Sequence, residues 1–236
     1  MMLGSMIVDH FRPNFSSRSG HVVIMAVTDV LLTKLMFAED RFGSGSDALY
    51  MERFKTYSNE YDLPFSQLDL SVYHQAAMVP IGLRYGSSDP ECDWEAELSL
   101  VKEEATQCLQ AMGIEGERAI EGELLASLIF LGKGGAPTKA VPYFVEHEYG
   151  KRVEAWSPEL SHILRSLGEA HDFVDFLDKA CIFNDPSLQM LCGGLGQVFF
   201  NRLPAKWVDT TLDDMDYDQK SMLLSFLKRF ECLPSW

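Results

Sequence analysis

Apolar residues recur along most of this chain at steps of three and four, the spacing that gathers them on one face of an α-helix. The clearest case is Trp94, Leu98, Val101, Ala105, Cys108 and Met112, a single stripe over about five turns. Asp89 followed by Pro90 predicts its start, with Asp89 as the capping residue and Pro90 in the first helical position. Asp89, Glu91 and Asp93 then face the positive end of the helix dipole, while Glu95, Glu97, Glu103 and Glu104 continue along the solvent side. Gly113 and Gly116 end the helix.

Other segments read in the same way. Ala26, Val27, Val30, Leu31, Leu35 and Met36 predict a helix within residues 21–40. The stretch "GSGSD", residues 43–47, is a break before a helix carrying Leu49, Tyr50, Phe54 and Tyr57. Residues 66–83 hold Leu68, Val72, Ala76, Met78 and Val79, with Pro80 as a kink or stop. Residues 118–131 carry Ile120, Leu124, Leu125, Leu128 and Ile129 at helical spacing. Val141–Tyr149 fits either a strand or a helix. Ser157-Pro158 predicts a capped helix start, and residues 169–183 are amphipathic through Phe173, Phe176, Leu177 and Ala180. Residues 186–203 are apolar, but "CGGLG" within them weakens the helical expectation. Thr210 with Asp213, and Thr211 with Asp214, form two overlapping capping boxes before a last helix bearing Met222, Leu223, Phe226, Leu227 and Phe230. Lys228 and Arg229 lie near that helix's negative end.

No alternation of period two is convincing, so the expected fold class is all-α: a bundle of roughly eight to ten helices, or stacked helical pairs. The expected organisation is one domain over residues 1–236, with "GKGGAPTK", residues 132–139, as the place for a subdivision. The opening "MMLGSM" resembles a tag remnant at Gly4-Ser5-Met6 and is set aside.

Composition narrows the function classes. A net charge of −15 repels nucleic acid and anionic membranes and suits a basic protein partner. No apolar run reaches the ~18 residues of a membrane span, and the best candidate is interrupted by Thr28, Asp29, Thr33 and Lys34. Five cysteines at wide spacing, without a C-x-x-C pair, argue against a disulfide framework or zinc knuckle and for a reducing, cytoplasmic setting.

The candidate chemistry is sparse. "GKGGAP" and "GGLGQ" lack the spacing of a phosphate-binding loop. Asp214, Asp216 and Asp218 imitate the opening of a calcium loop, but Gln219 and Ser225 stand where Gly and Glu are needed. His171-Asp172 resembles the dipeptide of the HD phosphohydrolases, an all-α metal-dependent family. That resemblance implies metal ligands His171 and Asp172 with an upstream His, His147 or His162, and a downstream Asp, Asp185 or Asp209. Against it, Asp172, Asp175 and Asp178 form the polar face of an ordinary amphipathic helix. No nucleophile elbow is present, and no catalytic residue, metal site or cofactor is expected.

Residues 70–109 hold a helix with Tyr73, Ala76 and Ala77, a Tyr85-Gly86 turn, and the Asp89-Pro90 start of an acidic helix. This unit, about a sixth of the chain, resembles helical bacterial immunity proteins of polymorphic toxin systems. The resemblance implies a cytoplasmic, non-enzymatic protein that binds and blocks a basic toxin or nuclease domain. The residues expected to meet that partner are Asp89, Glu91, Asp93, Trp94, Glu95 and Glu97, with Asp213, Asp214, Asp216 and Asp218. The alternative expectation is an HD-type metal-dependent phosphohydrolase.

Overall fold

A computed structural model describes residues 2–11, 18–36, 46–85 and 93–235. Twelve α-helices make up the described chain, more than the periodicity suggested. They are α1 (Met2–Phe11), α2 (Arg18–Met36), α3 (Ser46–Glu60), α4 (His74–Arg84), α5 (Trp94–Ala111) and α6 (Glu117–Lys133). After these come α7 (Val141–Tyr149), α8 (Pro158–Glu169), α9 (Phe173–Ala180), α10 (Pro186–Phe200), α11 (Ala205–Asp214) and α12 (Tyr217–Arg229). The fold is all-α; among the described residues only one isolated bridge, Arg202 to Ser235, has strand character. No helix there is long and apolar enough to cross a membrane.

Two apolar helices, α4 and α10, lie at the centre. Every residue of α4 except Gln75 is buried, and the helix runs through Pro80 to Arg84 rather than stopping at the proline. Helix α10 packs on α1, α4, α6 and α9. Its glycines make those contacts possible. A Cβ on Gly193 would meet the Gly4 carbonyl oxygen at 2.2 Å, one on Gly194 would meet Val79 at 2.8 Å, and one on Gly196 would meet the Phe173 ring at 2.9 Å. Each glycine costs a helix up to ~1 kcal/mol, so "CGGLG" counts against a helix locally; the burial it permits reverses that.

The same contact corrects the reading of the first residues. Leu3, Ser5, Met6 and Ile7 are buried. The Gly4 amide donates to Gln197 Oε1 at 2.9 Å, and the Ser5 hydroxyl donates to the Met190 carbonyl at 2.6 Å. Gly4 and Ser5 are small because α1 presses on α10 at that point, so this segment belongs to the core. Within "GKGGAPTK" the loop itself is short, residues 134–137, between the end of α6 and a 3₁₀ turn at Thr138–Ala140. Gly132 and Lys133 close α6, and the half-buried Lys133 ammonium donates to the carbonyls of Leu83 and Tyr85 at 2.9 and 3.1 Å, the C-terminal end of α4. A cation there offsets the negative end of the helix dipole.

Glu104 corrects the reading of α5. As an acid it is expected on the solvent side, yet it is only 5% exposed. Its Oε1 accepts from Lys34 of α2 and from the Tyr50 hydroxyl of α3 at 2.7 Å. Its Oε2 accepts from Arg84 Nη1 of α4 at 2.9 Å and from the Tyr85 hydroxyl at 3.3 Å. Lys34 reaches Gln107 as well, at 3.2 Å. One buried carboxylate thus joins four helices. Glu104→Gln removes the charge that Lys34 and Arg84 share, and breaking such buried pairs typically costs ~3–5 kcal/mol. Urea denaturation should show a loss of that order; a loss below about 1 kcal/mol would show that the charge does not hold these helices together.

Candidate functional site

The acids of the sequence serve first as caps. Helix α5 starts at Trp94, not beside Pro90: Asp93 is its cap and accepts from the Ala96 amide at 3.1 Å. Asp89 and Glu91 lie outside the described residues. The last helix is capped by Asp216, which accepts from the Gln219 amide at 2.8 Å. Thr210 and Thr211 lie inside α11, with Thr211 3% exposed, and cap nothing. A cap must leave helical backbone geometry, and packing moves both breaks a few residues from where the sequence put them.

Four of the predicted partner-binding residues line two separate clefts, Asp216 and Asp218 at one and Trp94 and Glu95 at the other. The first lies between α3 and α12 and encloses about 600 Å³. Glu60, Asp216 and Asp218 line it with Tyr57, Tyr61 and Tyr217, and among the described residues no lysine or arginine does. The Tyr217 ring is 83% exposed. Burial pushes the Tyr57 and Tyr61 hydroxyls well above the ordinary tyrosine range; Asp29 and Glu60 push Tyr57 further against the opposing charge of Arg53, and Asp216 and Glu60 push Tyr61 further against a hydrogen bond with Gln219. Both phenols stay protonated, and the Tyr57 hydroxyl donates to Met222 Sδ at 3.6 Å. The cleft therefore offers carboxylates and aromatic faces, which suit a cationic side chain.

The second cleft, about 730 Å³, lies between α5 and α7. Trp94, Glu95, Leu98, Tyr143 and Phe144 line it. Tyr143 is 79% exposed, and Trp94 is seated on Phe130 with ring centroids 4.1 Å apart. Its lysine, Lys102, is held by Glu148 at 3.0 Å. Glu97 belongs to neither cleft: it is partly buried, and its charge is felt at Lys133. Asp213 and Asp214 are exposed at the end of α11, outside both linings.

The His171-Asp172 pair does not gather the ligands of an HD site. Asp172 caps α9, accepting from the Asp175 amide at 2.9 Å. The His171 amide donates to Asp175 Oδ2 at 2.9 Å. His147 is exposed beside Glu148, His162 donates through Nε2 to the Lys179 carbonyl at 2.9 Å, and Asp185 caps α10. Asp209 is exposed on α11. Among the described residues no three His, Cys, Asp or Glu side chains come close enough to share a metal ion.

Two polar residues, Glu104 and His74, lie deep in the structure. Glu104 is three residues past Val101 and four before Cys108, so its own spacing puts it on the apolar stripe. His74 is 2% exposed; its Nδ1 donates to the Ser71 carbonyl at 2.7 Å, which also accepts from Arg118 at 2.8 Å. Burial holds the His74 imidazole below its ordinary value of 6.5, and Arg118 adds to this against the opposing pull of Ser71 and Asp185.

The unfolded chain therefore takes up this proton before the folded one does as pH falls. The contribution is fully present above pH 6.5 and is lost on the way down through the folded value. Denaturation from pH 7.5 downward should show unfolding free energy falling below about pH 6.5, by at most ~1.4 kcal/mol per pH unit from this group. His74→Asn should flatten that limb, and an unchanged slope would remove His74 from it.

Compared with protein-family models, with curated proteins and with solved structures, the chain matches none.

Proposed function

We propose that this chain is a cytoplasmic acidic binding protein of bacterial immunity type, one that neutralises a basic toxin or nuclease domain by occupying its cationic surface. The observation that carries this reading is the α3/α12 cleft, which three carboxylates and three tyrosines line, with no lysine or arginine beside them among the described residues of its lining. A net charge of −15 would accelerate encounter with a basic surface, while the cleft takes one or more of its lysine or arginine side chains. The exposed aromatics of the α5/α7 cleft, Trp94 and Tyr143, supply the contact type that dominates interface energetics. Among the described residues no disulfide joins Cys108, Cys181, Cys192 or Cys232, which suits a reducing compartment.

The test is capture from a lysate of the source cells at low ionic strength, with elution by rising salt. The wild-type chain should retain a near-stoichiometric basic protein. The pair Glu60→Lys and Asp218→Lys should retain about tenfold less or lower still, since like charges placed at a contact both slow encounter and oppose docking. Equal retention by the charge-reversed chain would take the interface away from this cleft. Failure to retain any basic protein would count against the inhibitor reading itself.

A further inference from the structure

The His171-Asp172 pair has a different setting from the one the sequence suggested. With Phe173, Phe200, Arg202 and Leu203 it lines a cavity of about 420 Å³. That is within the ~300–1,000 Å³ of small-molecule sites.

Both walls are fixed by the backbone. On one side, Asp172 is an extended cap whose Oδ1 holds the start of α9, while the His171 amide is tied to Asp175. On the other side, α10 ends at Asn201, whose left-handed backbone (φ 48°) turns the chain. Arg202 follows on a segment pinned to the C-terminal strand-like stretch: the Leu203 amide donates to the Ser235 carbonyl at 3.0 Å, and the Ser235 amide donates to the Asn201 carbonyl at 3.3 Å. Phe173 is buried between these walls and Phe200 is half-buried.

The charges in this cavity are balanced but not joined. Asp172 and Arg202 both line it, yet no ion pair connects them among the described residues. Asp172 engages Oδ1 in its cap, which leaves Oδ2 to accept. Arg202 is exposed, and its planar guanidinium is suited to a carboxylate. A simple anion here meets Asp172, and a simple cation meets Arg202. A small ligand carrying both charges satisfies both groups at once, with its apolar part against Phe173, Phe200 and Leu203.

We propose that this cavity binds a free α-amino acid with an apolar side chain. Arg202 takes the carboxylate, Asp172 Oδ2 takes the ammonium, and the side chain lies along the apolar floor that Phe173, Phe200 and Leu203 form. The site shares no residue with the α3/α12 cleft and does not depend on the function proposed for it.

Titration calorimetry on the full chain tests this with four probes: L-phenylalanine, L-leucine, phenethylamine, which lacks the carboxylate, and 3-phenylpropionate, which lacks the ammonium. The amino acids should bind saturably with Kd at or below about 1 mM, a strength ordinary for ligands of this size. The amine and the acid should each bind about tenfold more weakly, the effect of losing one charge-assisted contact. Arg202→Met, and Asp172→Asn, which keeps the capping oxygen, should each weaken phenylalanine by a similar factor while leaving helical circular dichroism intact. The proposal is overturned if neither amino acid gives a saturable heat. It is equally overturned if the amine or the acid binds as well as phenylalanine, or if either variant binds it unchanged.

Discussion

Four helices of this protein meet on one buried carboxylate. Lys34, Tyr50, Arg84 and Tyr85 all donate to Glu104, so α2, α3, α4 and α5 are fixed in mutual rotation as well as in distance. Apolar packing alone tolerates repacking when total volume is preserved. A carboxylate with directed donors on each oxygen does not, because any rotation leaves a buried charge short of a partner. Burial and the Glu104 charge also hold the Tyr50 hydroxyl in its protonated, donating form. Both surface clefts inherit this constraint: α3 forms one wall of the acid-and-tyrosine cleft, and α5 forms one wall of the aromatic cleft.

A second constraint works from the other side of the core. The glycines of α10 let α1, α4 and α9 approach it closely, and Lys133 ties the end of α6 to the end of α4. Each of these residues costs something in isolation: glycine within a helix, and an ammonium whose pKa burial pulls down. Their return appears only in the assembled structure.

That difference explains how far the sequence could be read. The stripe from Leu98 to Met112 and the faces of α9 and α12 were legible because burial of one helix face is a local, periodic property; Trp94, at the head of that stripe, is exposed instead. Glu104 was hidden by its charge: its spacing placed it on the apolar face, but a lone acid is ordinarily assigned to solvent. Gly4 and Ser5 looked dispensable because their partners, Gly193 and Met190, are nearly two hundred positions away. The caps Asp93 and Asp216 were misplaced by a few residues, since a chain rich in Asp and Thr offers several residues able to cap, and packing selects among them. The α3/α12 cleft was half legible. Asp216 and Asp218 stood out as acids, but Glu60, Tyr57 and Tyr61 come from α3 and the turn after it, more than 150 residues earlier.

The central claim is that an acidic surface organised around this cleft captures a basic partner. Its most direct measurement is the association rate of the purified chain with its captured partner across ionic strength, from about 20 mM to 500 mM salt. The account predicts a rate that falls steeply as salt screens the attraction, by about tenfold or more over that range, with dissociation changing much less. An association rate independent of salt would contradict it, and would place the recognition in the apolar contacts rather than in the charge.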